Sequence, residues 1–163
     1  HLRLRDLSVI PTVAYTTERR PVNEMYSLRE YENLLQTARN AARNAYAPYS
    51  QFRVGAALLC KDGTLVTGSN VENRSYGLTI CAERVAFGSA LSQGKHEFAA
   101  LAIFCLDAGY PVSPCGACRQ VISEFVSGEF PIIFSGFKGD IVQTTLKEIF
   151  PFDALHELKK TDQ

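Results

Sequence analysis

The sequence has no tryptophan, one methionine and no surplus of either charge, because 17 basic residues balance 17 acidic ones. Without a basic surplus there is little to hold a phosphate backbone, which argues against a polynucleotide substrate. No apolar run is long enough for a membrane span or a signal-peptide core. With 163 residues, 46% of them hydrophobic, the chain suits a single globular domain.

Cysteine is present in an odd number, five residues. Together with the missing secretory signal, this favours a reducing compartment, thiolate ligands and a cytoplasmic protein. We interpret residues 1–24 either as a leader that comes from the expression vector or as an upstream extension of unknown role. Asp6 and Glu18 argue against a transit peptide, which is usually poor in acids.

The informative cysteines lie in two clusters, Thr-Ile-Cys-Ala-Glu-Arg at residues 79–84 and Ser-Pro-Cys-Gly-Ala-Cys-Arg-Gln at residues 113–120. Cys115 and Cys118 are three apart at a predicted helix start, and Cys81 lies 34 positions earlier (115 − 81). Cys115 and Cys118 alone would equally suit a redox pair or a structural role. With Cys81, they provide three sulfurs and no obvious fourth ligand, the pattern of a zinc site with one open position.

Glu83 and Arg84 complete the chemistry of this cluster. Glu83 follows Cys81 by two residues, so its carboxylate can reach a water at the open position and carry protons without binding the metal. Alone, it would pass for an acid favoured in a first helical turn. Three thiolates leave a divalent ion formally at −1, and Arg84 is the side chain that can offset this charge by donating to sulfur.

The predicted elements alternate between helices and strands. A capping box at Ser27–Glu30 begins a helix that ends at Pro48. Strands are predicted at 54–60, 65–71, 99–106 and 131–137, and helices at 81–92, 115–125 and 145–150. This order indicates an α/β domain with helices on both faces of a sheet. Both cysteine clusters then lie at helix N-termini, where the dipole favours anionic sulfur.

Residues 46–124 resemble the short-chain, three-cysteine cytidine deaminases. The resemblance rests on five motifs in order: Ala-Pro-Tyr-Ser at 47–50, Val-Gly-Ala-Ala-Leu at 54–58, Asn-Val-Glu-Asn at 70–73, Cys-Ala-Glu-Arg at 81–84 and the segment 113–120. It implies a three-layer α/β/α fold with a central mixed sheet, spanning residues 25–163. It also implies one Zn²⁺ per subunit and a homotetramer with active sites at subunit interfaces. The implied reaction is the hydrolysis of cytidine and deoxycytidine to uridine and deoxyuridine, in pyrimidine salvage.

The resemblance also implies roles for individual residues. Cys81, Cys115 and Cys118 would be the metal ligands, Glu83 the catalytic residue and Arg84 the residue that contacts the ligand sulfurs. The substrate-binding residues would be Asn70 and Glu72 on the sugar hydroxyls, Phe52 near the base, the Ala82 amide, the Ser113 carbonyl, and Tyr76 from a neighbouring subunit. From the residues alone, each also has a structural explanation: Asn70 is typical of a turn, Glu72 of a solvent-exposed acid and Phe52 of the hydrophobic core.

The chain departs from the family at two places. Arg74 stands where relatives carry a small residue, and Ala154 stands where they carry a C-terminal phenylalanine that Phe152 or Leu155 would replace. Three rival functions remain open at this point: deamination of a nucleoside-like antibiotic, editing of RNA or DNA, and a zinc-stabilised binding module. Asn70 and Glu72 favour a nucleoside, and Glu83 at an open position argues against a module without catalysis.

Overall fold

The computed structural model describes residues 28–159. The elements along this part of the chain are α1 (Leu28–Ala42), β1 (Val54–Cys60), β2 (Leu65–Ser69), α2 (Ala82–Ser92), β3 (Phe98–Cys105), α3 (Gly116–Phe125), β4 (Pro131–Gly136), β5 (Val142–Thr145) and α4 (Leu146–Ile149). Short 3-10 turns cover Tyr76–Leu78 and His156–Leu158. The predicted extension at residues 1–24 and the Ser27 cap lie outside the described residues. Within those residues, none of the helices has the length and apolar character needed to cross a bilayer.

The five strands form one mixed sheet in the order β2-β1-β3-β4-β5. Strand β1 pairs antiparallel with both β2 and β3, β3 pairs parallel with β4, and β4 pairs antiparallel with β5. Because β2 and β3 are both antiparallel to β1, they run in the same direction. The helices that follow them, α2 and α3, therefore both start at the same edge of the sheet, which is where the two cysteine clusters meet.

Each face of the sheet carries its own apolar cluster. The central strands are nearly continuous apolar runs, as expected for strands buried on both faces. Because side chains alternate along a strand, Ala57 and Leu59 of β1 pack with Leu35 of α1. Their neighbours Ala56 and Leu58 pack on the opposite face, in a cluster that also contains side chains of α2 and α3. The predicted three-layer α/β/α architecture with a central mixed sheet is confirmed.

Two glycines let the helices lie directly on the sheet. A Cβ atom at Gly55 would come within 2.1 Å of the Ala38 carbonyl oxygen in α1. A Cβ atom at Gly68 would come within 2.3 Å of the Ala82 carbonyl oxygen in α2. Real Cβ atoms do not approach backbone so closely, so these positions hold glycine to permit close packing of backbone on backbone.

Two boundaries and one strand differ from the predictions. The first helix ends at Ala42 and not near Pro48, because the backbone of Tyr46 pairs with Asn70 and Glu72 instead of continuing the helix. Strand β2 ends at Ser69, and Val71 forms only isolated bridges to Tyr46 and Ile80. Strand β5 was not predicted. The other helices and strands agree with the sequence to within a residue or two.

Candidate metal centre and active site

Three cysteine sulfurs converge where α2 and α3 begin. Cys81 is the N-cap of α2, Cys115 is the N-cap of α3, and Cys118 lies three residues further along α3. Their Sγ atoms all lie within 4.8 Å of one another, and those of Cys81 and Cys115 are 3.8 Å apart. The N-cap carbonyls of Cys81 and Cys115 accept the first helical bonds, from Val85 and Arg119, so the helix starts fix both residues.

The spacing of these sulfurs fits a zinc ion. Zinc–sulfur bonds of about 2.3 Å in tetrahedral geometry separate the sulfurs by about 3.8 Å. All three cysteines are free thiols and form no disulfide. Among the described residues, no histidine, aspartate or glutamate joins the group as a fourth ligand. The donor set therefore suits zinc with one coordination position left for water or substrate.

Access to the cluster is one-sided. The Cys118 side chain is buried, Cys81 is half-buried and Cys115 is exposed. The pKa of Cys81 is lowered to about 5 by hydrogen bonds. The bond with Cys118 has the largest effect, and those with Arg84 and Cys115 add to it. The same bond with Cys81, together with burial, raises the pKa of Cys118. Cys81 is thus readily held as a thiolate, whereas the Cys118 thiol needs a nearby cation before it ionises.

Arg84 lies against this cluster. Its Nη2 atom donates to the Thr79 carbonyl at 3.0 Å and lies 3.8 Å from the Cys81 sulfur. The bond to Thr79 fixes the guanidinium, and the contact with Cys81 brings a positive charge to the thiolate. These contacts suit a side chain that offsets the excess negative charge of three thiolates.

Glu83 is a buried acid in the first turn of α2, with only 4% of its surface exposed. Burial is the main reason that the pKa of Glu83 is raised to about 7, and the negative charge of Cys81 adds to the effect. A carboxyl group balanced near neutral pH can both accept and return a proton. The structure thus places next to the sulfurs an acid with the properties of a proton carrier.

Asn70 and Glu72 hold the loop that leads into β1. The buried Asn70 side chain donates to the Phe52 carbonyl at 2.9 Å and accepts from the Val54 amide at 2.8 Å. The Glu72 carboxylate accepts from the amides of Tyr49 and Ser50 and from the Ser50 hydroxyl. An amide oxygen or a carboxylate oxygen has two lone pairs, and an amide nitrogen has two hydrogens. Both side chains therefore keep some capacity for a ligand, although they already bind backbone groups and, for Glu72, the Ser50 hydroxyl.

The remaining predicted pocket residues surround this loop and the sulfurs. Phe52 is half-buried, and its amide donates to the Ser50 hydroxyl. Ala82 is buried as the first residue of α2, where an amide has no partner in the helix's own ladder. Ser113 is exposed. Tyr76 is 75% exposed and its ring lies 5.9 Å from that of Tyr49, edge to face.

Sequence reasoning missed one residue, Arg119. Its guanidinium donates to the carbonyls of Pro114 and Ile149, each at 2.8 Å, and to the Ser113 hydroxyl at 3.3 Å. The only signal in the sequence was its position directly after Cys118, because Ile149 lies 30 positions away (149 − 119).

A three-layer α/β/α fold and three cysteine sulfurs at two helix starts are typical of the zinc-dependent nucleotide and nucleoside deaminases. Residues 28–133 match the sequence model of the "Cytidine and deoxycytidylate deaminase zinc-binding region". The chain belongs to this cytidine and deoxycytidylate deaminase family.

Curated relatives and a solved structure agree with this assignment. A cytidine deaminase of Sporosarcina psychrophila is 50% identical over 122 residues, covering 75% of this chain and 89% of the relative. One of Halalkalibacterium halodurans is 47% identical over 118 residues, covering 72% and 89% respectively. The crystal structure of cytidine deaminase from Burkholderia pseudomallei superposes with a TM-score of 0.71 at 44% identity, covering 74% of this chain and 95% of that one.

Proposed function

We propose that this protein is a zinc-dependent cytidine deaminase that converts cytidine and deoxycytidine to uridine and deoxyuridine, with release of ammonia. The observation that carries the proposal is the cluster of Cys81, Cys115 and Cys118 beside the buried Glu83, with no fourth protein ligand among the described residues. A structural zinc ion is normally bound by four protein ligands, so an open position with a buried acid beside it is not expected at such a site. Membership of the deaminase family supports the same reaction.

The positions of the side chains support a division of roles among them. The three cysteines would hold one zinc ion per subunit, which supplies the Lewis acidity that brings the pKa of a water close to neutrality. Glu83 takes a proton from the attacking water and delivers it to the ring nitrogen beside the attacked carbon. Glu83 then carries the second proton of this water to the 4-amino group, which leaves as ammonia while the water oxygen becomes the new carbonyl. Arg84 offsets the negative charge of the sulfurs.

The proposed substrate contacts use groups at the rim of the cluster. The Ala82 amide donates to the base carbonyl, the Ser113 carbonyl accepts from the amine, and Phe52 contacts the base. Asn70 and Glu72 bind the sugar hydroxyls with the hydrogen-bonding capacity left after they fix the loop before β1. A sugar with hydroxyl groups is therefore preferred over an antibiotic that lacks them.

We propose further that the chain forms a homotetramer in which Tyr76 reaches a neighbour's active site. The support is an exposed apolar surface next to the site, hereafter the rim patch, formed by Tyr46, Tyr49, Val71, Tyr76, Leu78 and Ile80. Tyr46, Val71 and Ile80 are joined by β-bridges, and the Tyr49 ring contacts that of Tyr76, which shares a turn with Leu78. The Tyr49 amide donates to Glu72, next to Val71, so the two groups are neighbours. A contiguous exposed apolar patch is typical of an interface.

Two further assignments complete the proposal. We assign the deaminase domain to residues 25–163, and the family match, which begins at residue 28, supports this start. We place the protein in the cytoplasm, where pyrimidine salvage uses such an enzyme, because all five cysteines are free thiols.

The experiment mixes purified protein with cytidine and follows the ultraviolet change on conversion to uridine, with and without a chelator. Glu83→Gln keeps the shape of the side chain and removes its ability to carry a proton. We expect this variant to retain zinc and to lose about 10²- to 10⁴-fold in turnover. Glu124→Gln, the same change at an exposed position of α3, is the control and should leave turnover unchanged. Near-normal turnover by Glu83→Gln, or by the metal-stripped protein, contradicts the proposal.

A further inference from the structure

Arg119 connects three segments of the chain with one side chain. Its Nε atom donates to the Pro114 carbonyl, its Nη1 atom to the Ile149 carbonyl and its Nη2 atom to the Ser113 hydroxyl. The first and third partners precede α3, and the second is the last residue of α4. All three are neutral oxygens, so these bonds hold backbone and hydroxyl groups in place, with the extra strength that a charged donor gives.

The bond to Pro114 acts directly on a sulfur ligand. Pro114 is buried and immediately precedes Cys115, the exposed N-cap of α3. The Cys115 N-cap is made by backbone alone, without a hydrogen bond from its side chain. The direction of the chain at Pro114 therefore decides where the Cys115 sulfur lies relative to Cys81 and Cys118.

The bond to Ile149 joins the start of α3 to a separate element, the end of α4. Gln120, the next residue of α3, donates to the Asp153 carboxylate at 3.3 Å. Arg119 and Gln120 thus hold the end of α4 and the segment after it against α3.

We propose that Arg119 is a positioning residue for the metal site, which sets the location of the Cys115 sulfur and of the adjacent Ser113 by bracing both against the end of α4. The inference rests on the proposed zinc site and adds to it a residue outside the ligand set. The guanidinium is required because a planar group presents donors in several fixed directions at once. A lysine ammonium is a point charge on a flexible stem and cannot reproduce three divergent bonds.

The test compares zinc-loaded wild type, Arg119→Lys, Arg119→Gln and the control Arg43→Lys at an exposed position just after α1. Competition with a colorimetric chelator measures zinc affinity. Thermal unfolding of the zinc-loaded and zinc-free forms separates metal binding from general stability, because a metal stabilises the folded state according to its affinity.

We expect both Arg119 variants to bind zinc about 10- to 100-fold more weakly, the usual effect of losing a side chain that orients a metal ligand. The rise in unfolding temperature on adding zinc should shrink in both variants and stay unchanged in Arg43→Lys. Weaker zinc binding by Arg119→Lys, which keeps the positive charge, would show that the effect comes from the geometry of the guanidinium and not from its charge.

Three results would overturn the inference. The first is wild-type zinc affinity in both Arg119 variants. The second is an equal fall in the unfolding temperatures of the zinc-loaded and zinc-free forms, and the third is failure of both variants to fold. The last two would make Arg119 a residue of general stability. A wild-type protein that binds no zinc would overturn the proposed function itself.

Discussion

Cys81 and Glu83 lie two residues apart at the start of α2, yet their acidities shift in opposite directions. The hydrogen bond with Cys118, and next that with Arg84, lowers the pKa of Cys81 to about 5. Burial raises the pKa of Glu83 to about 7. Acids whose environments separate their pKa values in this way can divide a reaction between them. Here the thiolate suits a metal ligand, and the carboxyl group suits proton transfer at neutral pH.

Arg84 should affect turnover without affecting the fold. We expect Arg84→Ala to keep the wild-type far-ultraviolet spectrum and to lose about 10- to 100-fold in turnover, because the thiolates lose their only side-chain cation contact among the described residues. Steady-state kinetics with cytidine measure the effect, with Arg43→Ala as the control. Turnover equal to that of wild type would refute the charge-offsetting role.

The residues that carry the chemistry could be read from the sequence because they are close together along the chain. Cys81, Glu83 and Arg84 occupy one turn, and Cys115 and Cys118 occupy another. The contacts of Asn70 and Glu72 could not be read in this way, because their partners lie 16 to 23 positions away. The role of Arg119 was hidden for the same reason, since its bond to Ile149 depends on how α4 packs.

At the level of elements, the apolar patterns predicted the buried strands and the helices at the sulfur site. Strand β5 was missed because Val142–Thr145 is short, polar and only partly buried, so it lacks both the alternation and the apolar run that identify a strand. The end of α1 was placed too late because Pro48 is a local signal. The actual end is set by the distant pairing of Tyr46 with Asn70 and Glu72.

The contact between β2 and α2 gives a prediction about packing. A Cβ atom at Gly68 would meet the Ala82 carbonyl oxygen at 2.3 Å and the Ala86 amide nitrogen at 2.4 Å. Gly68→Ala must therefore move the start of α2. We expect a loss of about 1–3 kcal/mol in the free energy of unfolding and weaker zinc binding, since Cys81 moves with the helix. Denaturant unfolding and zinc titration measure the two effects.

The control for this variant lies in α2 itself. Apart from its chain neighbours and the backbone of α2 itself, a Cβ atom at Gly88 would have no heavy atom within 4 Å, and alanine favours a helix over glycine by about 1 kcal/mol. Gly88→Ala should therefore stabilise the protein and leave zinc binding unchanged. A Gly68→Ala protein with wild-type stability would show that α2 does not depend on this close contact.

On the scale of the whole molecule, the rim patch is difficult to explain for an isolated chain. Tyr76 and Leu78 are 75% and 66% exposed in one short turn beside the sulfur site. Isolated exposed apolar residues are common, but a contiguous group next to a functional site indicates a partner surface. A second copy of the chain is the partner that the proposed homotetramer supplies, and the interface would then complete the pocket with Tyr76.

Leu78→Glu tests this assembly. We expect wild type to sediment at four times the chain mass of 18.0 kDa, and Leu78→Glu to sediment as smaller species, because a charge in an apolar interface pays a desolvation penalty. Cytidine turnover should fall together with the mass, since the neighbour's Tyr76 is withdrawn. Tyr110→Glu adds the same charge at a residue that is 61% exposed outside the rim patch, and should keep the wild-type mass. Full turnover in a monomeric Leu78→Glu protein would mean that each chain completes its active site alone.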